Sequence, residues 1–178
     1  MTAVTVNRGM FRAYDIRGVV DEDLTEPVVH RIARAIGTYL QRGGARTVVA
    51  GRDMRTSSPS FHQAIMDGLR ATGVEVLDIG LVPTPVMYFA VKHFRAGGGV
   101  MLTASHNPPQ FNGIKVRQGT LPVVSEALQD IAELATSGDF ETGSGGRRAV
   151  DALGPYLETV IGKFTSERPL TVVAEFGN

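Results

Sequence analysis

The residues best suited to chemistry lie in one short run, TASHNPP at residues 103–109. A hydroxyl, an imidazole and an amide follow one another there, and two prolines stiffen the loop, so Ser105 has little entropy left to lose on binding. Downstream, a short predicted strand contains NGIK at residues 112–115, and it can bring the ammonium group of Lys115 back toward this loop. A hydroxyl flanked by cationic groups suits phosphoryl transfer, in which positioning and charge neutralisation do most of the work. A partly desolvated lysine in such a site can also move protons.

The same loop has a simpler interpretation, which the residue types by themselves favour. Ser, Asn and Pro dominate turns, so residues 103–109 also have the composition of an ordinary turn. Neighbouring side chains point apart in most backbones, and we therefore do not expect a catalytic dyad between Ser105 and His106.

A second polar group is FRAYDIRG at residues 11–18. A turn here would let Tyr14 and Arg17 reach a shared pocket, and the fork of an arginine matches phosphate oxygens. The alternative is a solvated pattern in which Arg12, Asp15 and Arg17 form local ion pairs, which is the commoner situation for such charges.

A third group is GRDMRTSSP at residues 51–59, between a predicted strand and a predicted helix. Backbone N–H groups at that helix start could hold an anion. The residue types favour a structural interpretation, in which Ser57 and Ser58 cap the helix and Arg52 pairs with Asp53 to tie the loop.

Other kinds of site are not indicated. The sequence contains no Walker phosphate loop, no GxGxxG after the first strand and no GxSxG elbow. The carboxylates are scattered and do not form a magnesium site by themselves. Three further histidines lie in predicted helices without the spacing of metal ligands, namely His30, His62 and His93.

The elements that must position these residues alternate between helix and strand. This alternation with short connections predicts a three-layer α/β/α fold, a mostly parallel mixed sheet with helices on both faces. Residues 103–109 then follow a buried strand and lie at its carboxyl end, the usual place for sites in open α/β sheets. The predicted helices cover 28–40, 58–73, 84–94 and 128–135, and the predicted strands cover 47–50, 74–79, 99–102 and 114–116, with 11–17 as a candidate edge strand.

Composition narrows the classes of partner. The chain has 178 residues, in which 18 basic residues balance 18 acidic residues without any block of like charge. This balance argues against nucleic acid or an anionic membrane as an electrostatic partner. The absence of cysteine excludes disulfides and thiol chemistry. No apolar run reaches the ~20 residues that span a bilayer, and no hydrophobic signal segment follows residues 1–9, so we expect a cytoplasmic protein.

The sequence also predicts a domain boundary. Residues 137–148 are rich in glycine and are the predicted linker, so that 1–150 form one domain and 151–178 begin a second. A helix at 153–164 and a strand at 170–174 follow, and the chain stops at Gly177-Asn178 as though cut between a strand and a helix. One helix and one strand cannot bury their own apolar faces, so we expect this segment to expose apolar surface that could support an oligomer.

Five segments, taken in order, resemble one family of enzymes, the α-D-phosphohexomutases, and within it the phosphomannomutase/phosphoglucomutase branch. They are FRAYDIRG, GRDMRTSSP, the TPV helix start, TASHNPPQFNGIKV and TVVAEFGN. The resemblance spans nearly the whole chain, and the TASHNP segment with NGIK behind it is highly specific. The FRAYDIRG opening favours the mannose and glucose mutases over the phosphoglucosamine mutases.

The resemblance implies a role for each polar residue. Ser105 is the phosphoserine, which donates a phosphoryl group to the sugar and recovers it, interconverting hexose 6-phosphate and hexose 1-phosphate through a bisphosphorylated intermediate. Lys115 is the general acid/base, His106 assists beside the phosphoserine, and Arg17 belongs to the same catalytic group. The residues that meet the phosphosugar or hold the loop against it are Tyr14, Arg17, Asn107 and Lys115.

The resemblance also implies a cofactor and missing domains. The family's Mg²⁺ is held by a DGDGDR loop of the second domain together with a phosphate oxygen on the serine, here Ser105, and glucose or mannose 1,6-bisphosphate is the activator. That loop and the sugar-binding loops of the third and fourth domains are absent from this sequence. We therefore expect this chain by itself to be a weak mutase or inactive. Two alternatives are a phosphosugar-binding module without turnover and a fragment of a phosphoglucosamine mutase.

Overall fold

The computed structural model describes residues 4–164 and 168–175. Strands and helices alternate through most of this range, as the sequence predicts. The strands are β1 (Ile16–Val19), β2 (Thr47–Arg52), β3 (Glu75–Leu81), β4 (Gly98–Leu102), β5 (Phe111–Gln118), β6 (Leu121–Pro122) and β7 (Arg147–Ala149). The helices are α1 (Glu26–Arg42), α2 (Ser58–Arg70), α3 (Thr84–His93), α4 (Glu126–Ser137) and α5 (Leu153–Ile161), preceded by a 3-10 turn at Arg8–Met10.

The strands form one mixed sheet in the order β1-β5-β4-β2-β3-β7, with β6 paired to β5. Strands β4, β2, β3 and β7 run parallel to one another, whereas β5 is antiparallel to both β1 and β4. Every residue of β4 is buried, as expected for a strand covered on both faces. The edge strand predicted at 11–17 is present as β1, shifted toward the carboxyl side, and it brings residues 11–18 beside NGIK.

Helices cover both faces of the sheet, which confirms the three-layer α/β/α fold. One core joins α1, α2 and α4 to the sheet, with Ile32, Ile65 and Ile131 fully buried. The second core lies under α3, where Val86 and Met87 are fully buried. Within the described ranges, no helix combines the length and the hydropathy that crossing a bilayer requires.

Proline marks the start of three helices, because its fixed φ suits the first helical turn and its missing N–H is not needed there. The N-caps of α2 and α3 are Ser57 and Pro83, and neither makes a side-chain capping bond. The Ser58 hydroxyl instead donates to Asp53, at 2.6 Å. The three prolines are Pro27, Pro59 and Pro85.

The linker predicted at residues 137–148 is wrong, because this segment packs on the sheet domain. The amides of Gly143 and Gly145 donate to the carbonyls of Ala71 and Arg70, each at 2.9 Å. A side chain at position 145 would collide with the Val74 carbonyl, so glycine is required for this close approach. The chain then adds β7 in parallel to β3. Glycine here reflects backbone packing and not a flexible connection.

Beyond β7 the chain is attached to the domain mainly by the start of α5. Ala152 is buried in the core under α3, and the ring of Tyr156 meets that of Phe89 at 5.6 Å. The side of α5 that carries Leu157 and Ile161 is exposed, as predicted.

Residues 168–175 form no strand, so the strand predicted at 170–174 is wrong. Val173 is 94% exposed, because a strand needs a neighbouring edge and no described strand pairs with this segment. The predicted end at Gly177-Asn178 lies outside the described residues. The division into domains at residue 150 stays a prediction.

Candidate phosphoryl-transfer site

Two loops leave the same edge of the sheet and form the candidate site. Parallel pairing sets Arg52 of β2 opposite Leu102 of β4, so the loops that follow both strands lie side by side. One is the loop at 53–57, and the other is the loop at 103–110, which contains TASHNPP. The sequence therefore predicted correctly that this run lies at the carboxyl end of a buried strand, and the position matches the usual one for sites in α/β sheets.

Ser105 is exposed at the tip of its loop and has an unusual backbone. Its φ of 55° lies in the left-handed region, which costs a non-glycine residue about 1 kcal/mol or more. The Ser105 amide donates to the Thr103 hydroxyl at 3.0 Å, which supports this conformation. The strained backbone also places the Ser105 Oγ 3.3 Å from the His106 Nδ1. The expectation that these neighbours point apart is therefore wrong, because it assumed an ordinary backbone.

Arg55 holds the Ser105 loop through backbone carbonyls. One terminal nitrogen donates to the Ser105 and Asn107 carbonyls at 3.0 and 2.6 Å, and the other donates to the Pro108 and Phe111 carbonyls at 2.9 and 3.0 Å. The sequence analysis did not identify Arg55 as a functional residue. The sequence did show an arginine in a loop predicted at the same edge of the sheet. Nothing in the local pattern, however, indicates which groups the Arg55 side chain contacts.

A network of hydroxyl and amide groups supports Arg55 from behind. Asp53 accepts from the Ser58 hydroxyl and the Arg55 amide at 2.6 and 3.1 Å, and its other oxygen lies 3.3 Å from the Arg55 Nε. The buried Asn112 side chain donates to the Ser57 and Ser58 hydroxyls at 2.8 and 3.1 Å. Neither serine hydroxyl makes a capping bond, and the Asp53 carboxylate pairs with Arg55, whereas Arg52 donates to the Asp53 backbone carbonyl at 3.1 Å. Residues 51–59 and the NGIK segment are therefore joined in one hydrogen-bonded network behind Arg55.

Asp15 joins two basic residues at the other side of the loop. Its side chain is 7% exposed, and its Oδ2 lies 2.7 Å from Arg17 and 3.1 Å from Lys115. Arg17 also donates to the Asn107 side chain at 2.8 Å. The local ion pair of the alternative interpretation is present between Arg17 and Asp15, and Arg12 is exposed, but the pair itself is not solvated, because burial and the shared contact with Lys115 hold it in place.

Gly113 allows β1 to approach β5 beside this cluster. A side chain at position 113 would lie 2.5 Å from the Ile16 carbonyl and 3.0 Å from the Thr103 carbonyl. Glycine in NGIK, opposite Arg17, therefore lets β1 and β5 pack closely where Arg17 and Lys115 both reach Asp15.

A cleft of about 650 Å³ opens beside the loop. Its polar lining includes Arg55, Ser105 and Asn107, and its apolar wall is formed by Val82 and Met101. Clefts of this size that combine an apolar wall with a few convergent polar groups are typical of small-molecule sites. Of the residues predicted for the site, the structure places Ser105 and Asn107 in the lining.

Tyr14 is not brought into this cluster. Its side chain is 75% exposed, and within the part of the chain that the structure describes its hydroxyl makes no hydrogen bond. Its predicted role in lining the cleft stays a prediction. The other predicted residues, Arg17, His106 and Lys115, lie on the loop or are bonded to it through Asp15 and Asn107.

The described residues do not fit a complete magnesium site. Residues 4–164 and 168–175 contain no group of three or more His, Asp or Glu side chains that could hold a metal ion. Asp53, which lines the cleft, already accepts hydrogen bonds on one oxygen and pairs with Arg55 through the other. Mg²⁺ demands near-octahedral oxygen coordination, so no step through the metal follows from this chain.

Comparisons with known proteins agree with this arrangement. Residues 8–142 match the family model described as phosphoglucomutase/phosphomannomutase, alpha/beta/alpha domain I. A phosphomannomutase/phosphoglucomutase from Pseudomonas aeruginosa is 39% identical over 176 residues, covering 99% of this chain. A probable phosphoglucosamine mutase from Thermococcus kodakarensis is 39% identical over 173 residues, covering 94%.

A solved structure shows the same relationship. The crystal structure of a phosphoglucomutase/phosphomannomutase family protein from Burkholderia thailandensis superposes with a TM-score of 0.88 at 37% identity, covering 93% of this chain. In each of these comparisons the chain spans about 38% of the length of its relative.

Proposed function

The chain belongs to the phosphoglucomutase/phosphomannomutase family, and on that premise we propose that it carries the phosphoserine loop of a phosphohexomutase. The observation that carries the proposal is the exposed Ser105 hydroxyl, presented beside the cleft on a loop that Arg55 and Arg17 both hold. The reaction moves a phosphoryl group between the 6- and 1-positions of a hexose phosphate.

The proposed reaction has two balanced steps at Ser105. A sugar hydroxyl attacks the phosphorus of phospho-Ser105, the bond from phosphorus to Oγ breaks, and the hydroxyl proton is passed on to restore the serine hydroxyl. In the second step the Ser105 Oγ attacks the other phosphoryl group of the bisphosphorylated sugar, the bond from that phosphorus to the sugar oxygen breaks, and the serine proton passes to that oxygen, which regenerates phosphoserine and releases the isomeric monophosphate. His106, with its Nδ1 3.3 Å from the Oγ, is placed to exchange the proton of Ser105.

The Asp15 cluster supplies the charge for binding phosphate. Arg17 and Lys115 carry two positive charges against the one negative charge of Asp15, which leaves a net positive charge beside the loop. Within the described residues, Arg17 uses three of its five N–H groups, two toward Asp15 and one toward Asn107. The two remaining N–H groups can bind phosphate oxygens in the manner of a fork. We assign Lys115 the role of general acid/base at the sugar hydroxyl.

The complete reaction requires more than this chain. The relatives are longer, and the chain spans 38% of their length, so we propose that the rest of the enzyme supplies the sugar-selecting groups and the ligands of Mg²⁺. Glucose or mannose 1,6-bisphosphate is the proposed source of the first phosphoryl group on Ser105. The partner class is therefore a small phosphosugar together with the remaining domains.

The sugar itself has two candidates. The FRAYDIRG segment favours glucose or mannose phosphates. The probable phosphoglucosamine mutase from Thermococcus kodakarensis is as similar in identity as the phosphomannomutase/phosphoglucomutase from Pseudomonas aeruginosa, which favours glucosamine phosphate as the second candidate. A panel of the three sugar phosphates, given to the full-length protein that contains this domain, distinguishes them by kcat/KM.

The deciding experiment is intact mass spectrometry of that full-length protein after incubation with glucose 1,6-bisphosphate. We expect a phosphate adduct located at Ser105, absent from the Ser105→Ala variant, together with loss of mutase activity. The matched control is Ser144→Ala, since Ser144 is also exposed but lies in the glycine-rich segment before β7. Full activity in Ser105→Ala would contradict the proposed function, and binding of phosphosugar without any adduct would favour the non-catalytic alternative.

A further inference from the structure

We propose that Arg55 is a positioning residue, which lines the cleft but fixes the Ser105 hydroxyl for transfer by binding the loop backbone and without donating a hydrogen bond to the substrate. The inference rests on the proposed function of Ser105, and it adds a residue to which the family resemblance gave no role. Three observations support it. Arg55 makes four bonds to loop carbonyls, two prolines of the loop have no N–H, and the backbone of Ser105 is strained.

The loop supplies few donors to its own carbonyl groups. Pro108 and Pro109 have no N–H, so two of the amides that could close turns inside the loop are missing. Of the carbonyls that Arg55 reaches, that of Pro108 also accepts from the Phe111 amide at 3.0 Å. A donor from outside the loop can bind several carbonyls at once and fix the backbone. Arg55 provides it from the neighbouring β2–α2 connection, with bonds of 2.6 to 3.0 Å to four carbonyls.

The Arg55 guanidinium has no donor left for a phosphate. Four N–H groups on its terminal nitrogens reach the loop carbonyls, and the Nε faces Asp53 at 3.3 Å. An arginine offers five N–H groups in a fixed plane, so four donate to the loop and the fifth faces the Asp53 carboxylate. Arg17 differs in this respect, because it keeps two N–H groups free of bonds to the described residues. The two arginines therefore differ, since Arg55 uses its terminal donors on the loop and Arg17 keeps two that a phosphate could bind.

Holding the loop matters because Ser105 is strained. A residue with a φ of 55° persists in that conformation only when its surroundings determine it. Arg55 fixes the Ser105 carbonyl on one side, and the Thr103 hydroxyl fixes its amide on the other. Without the first contact the loop can relax, and the Oγ then moves away from His106.

Lysine cannot replace this arrangement. Its ammonium group has three N–H donors on one atom, without the planar fork that spans carbonyls from residues 105 to 111. Arg55→Lys therefore keeps the positive charge and much of the length but loses the clamp, which makes it the most informative variant. Arg55→Met removes the charge as well.

The first measurement is amide hydrogen exchange of this chain. The amides of Asn107 and Phe111 donate to carbonyls within the loop, so their exchange rates report its order. We expect both to exchange faster in Arg55→Lys and Arg55→Met, whereas the amides of the central strands keep their protection. The matched control is Arg70→Met, because Arg70 also donates to a backbone carbonyl, that of Gly145, at the far end of α2.

The second measurement is the kinetics of the full-length protein that carries this domain. A displacement near 1 Å lowers rates by about 100-fold, so we expect kcat to fall by about that factor in Arg55→Lys while KM changes little. A raised KM with unchanged kcat would overturn the proposal, since it would mean that Arg55 binds substrate. Wild-type loop exchange and rate in Arg55→Lys would overturn it as well.

The two measurements separate this inference from the proposed function. If the wild-type protein never phosphorylates Ser105, the proposed function fails, and the exchange comparison still decides whether Arg55 holds the loop. If exchange rises equally over the whole domain in both variants, Arg55 supports general stability and the positioning role is overturned.

Discussion

Two carboxylates in this domain have nearly the same surroundings and different consequences. Asp15 lies between Arg17 and Lys115 with a side chain 7% exposed. Asp78 lies between His62 and Arg147, at 2.9 and 2.8 Å, with a side chain 11% exposed. Both are buried acids that bridge two basic side chains, so charge pattern and burial do not distinguish them.

The difference lies in what the basic partners touch next. Arg17 continues from Asp15 to the Asn107 side chain, so the Asp15 cluster is connected to the loop that carries Ser105. Arg147 continues from Asp78 to Gln63 on α2, so the Asp78 cluster joins α2, β3 and β7 and ends there. The proposed difference in role between the two acids therefore rests on where each cluster lies and on the N–H groups that Arg17 keeps.

Protonation in the Asp78 cluster follows from its enclosure. Burial lowers the pKa of His62 by disfavouring the imidazolium, and the hydrogen bond to Asp78 only partly offsets this effect. Burial by itself would raise the pKa of Asp78, but bonds from His62, Arg147 and the Gly80 amide outweigh it, and the pKa is lowered. The cluster therefore favours a neutral histidine beside an ionised carboxylate near neutral pH.

The largest expected effect comes from Asp15→Asn. Loss of the shared carboxylate releases both Arg17 and Lys115 from their fixed positions, and we expect the transfer rate of the full-length protein to fall by about 100-fold. Single-turnover phosphorylation of Ser105 measures it. Asp78→Asn is the matched control, and an equal loss of rate in that variant would erase the distinction between the two clusters.

Asp78→Asn should instead reduce stability. The amide cannot accept from His62, Arg147 and the Gly80 amide together, so we expect the free energy of unfolding to fall by about 1–3 kcal/mol. Urea denaturation of this chain measures the change. A variant with wild-type stability would show that the Asp78 cluster does not hold α2, β3 and β7 together.

The stability of the domain should also depend on pH through His62. Its pKa is lowered in the folded state, so below the unfolded value of about 6.5 the unfolded chain binds the proton more readily and stability falls. The slope for one proton is at most about 1.4 kcal/mol per pH unit. His62→Gln should flatten the curve below pH ~6.5, measured by denaturation at several pH values. His30, whose pKa burial also lowers, should keep part of the slope.

The smallest effect is expected for Arg147→Gln. The Arg147 side chain is 40% exposed, and solvent screens its pairing with Asp78, so we expect a loss of at most about 1 kcal/mol. Urea denaturation beside Asp78→Asn provides the comparison. A loss equal to that of Asp78→Asn would mean that the arginine, and not the histidine, carries most of the cluster.

Local patterns predicted much of the fold. Pro59 and Pro85 mark helix starts, and the apolar stripes of α1 and α4 are buried where the sequence placed them. The prediction of a linker at 137–148 was wrong because glycine is common both in flexible segments and where backbones pack closely. The sequence does not distinguish these two uses. The strand predicted at 170–174 is absent, because β-propensity alone does not provide the neighbouring strand with which a strand must pair.

The sequence by itself determined which elements form and that TASHNPP follows a buried strand, because helix stripes, prolines and short apolar runs act over a few residues. Tertiary structure decided that Asp15 joins Arg17 to Lys115, 100 residues away, and that Arg55 reaches Asn107, 52 residues away. Those contacts depend on β5 pairing with β1 and on β2 lying beside β4. Strand order is set by the packing of the whole core, which no short segment contains.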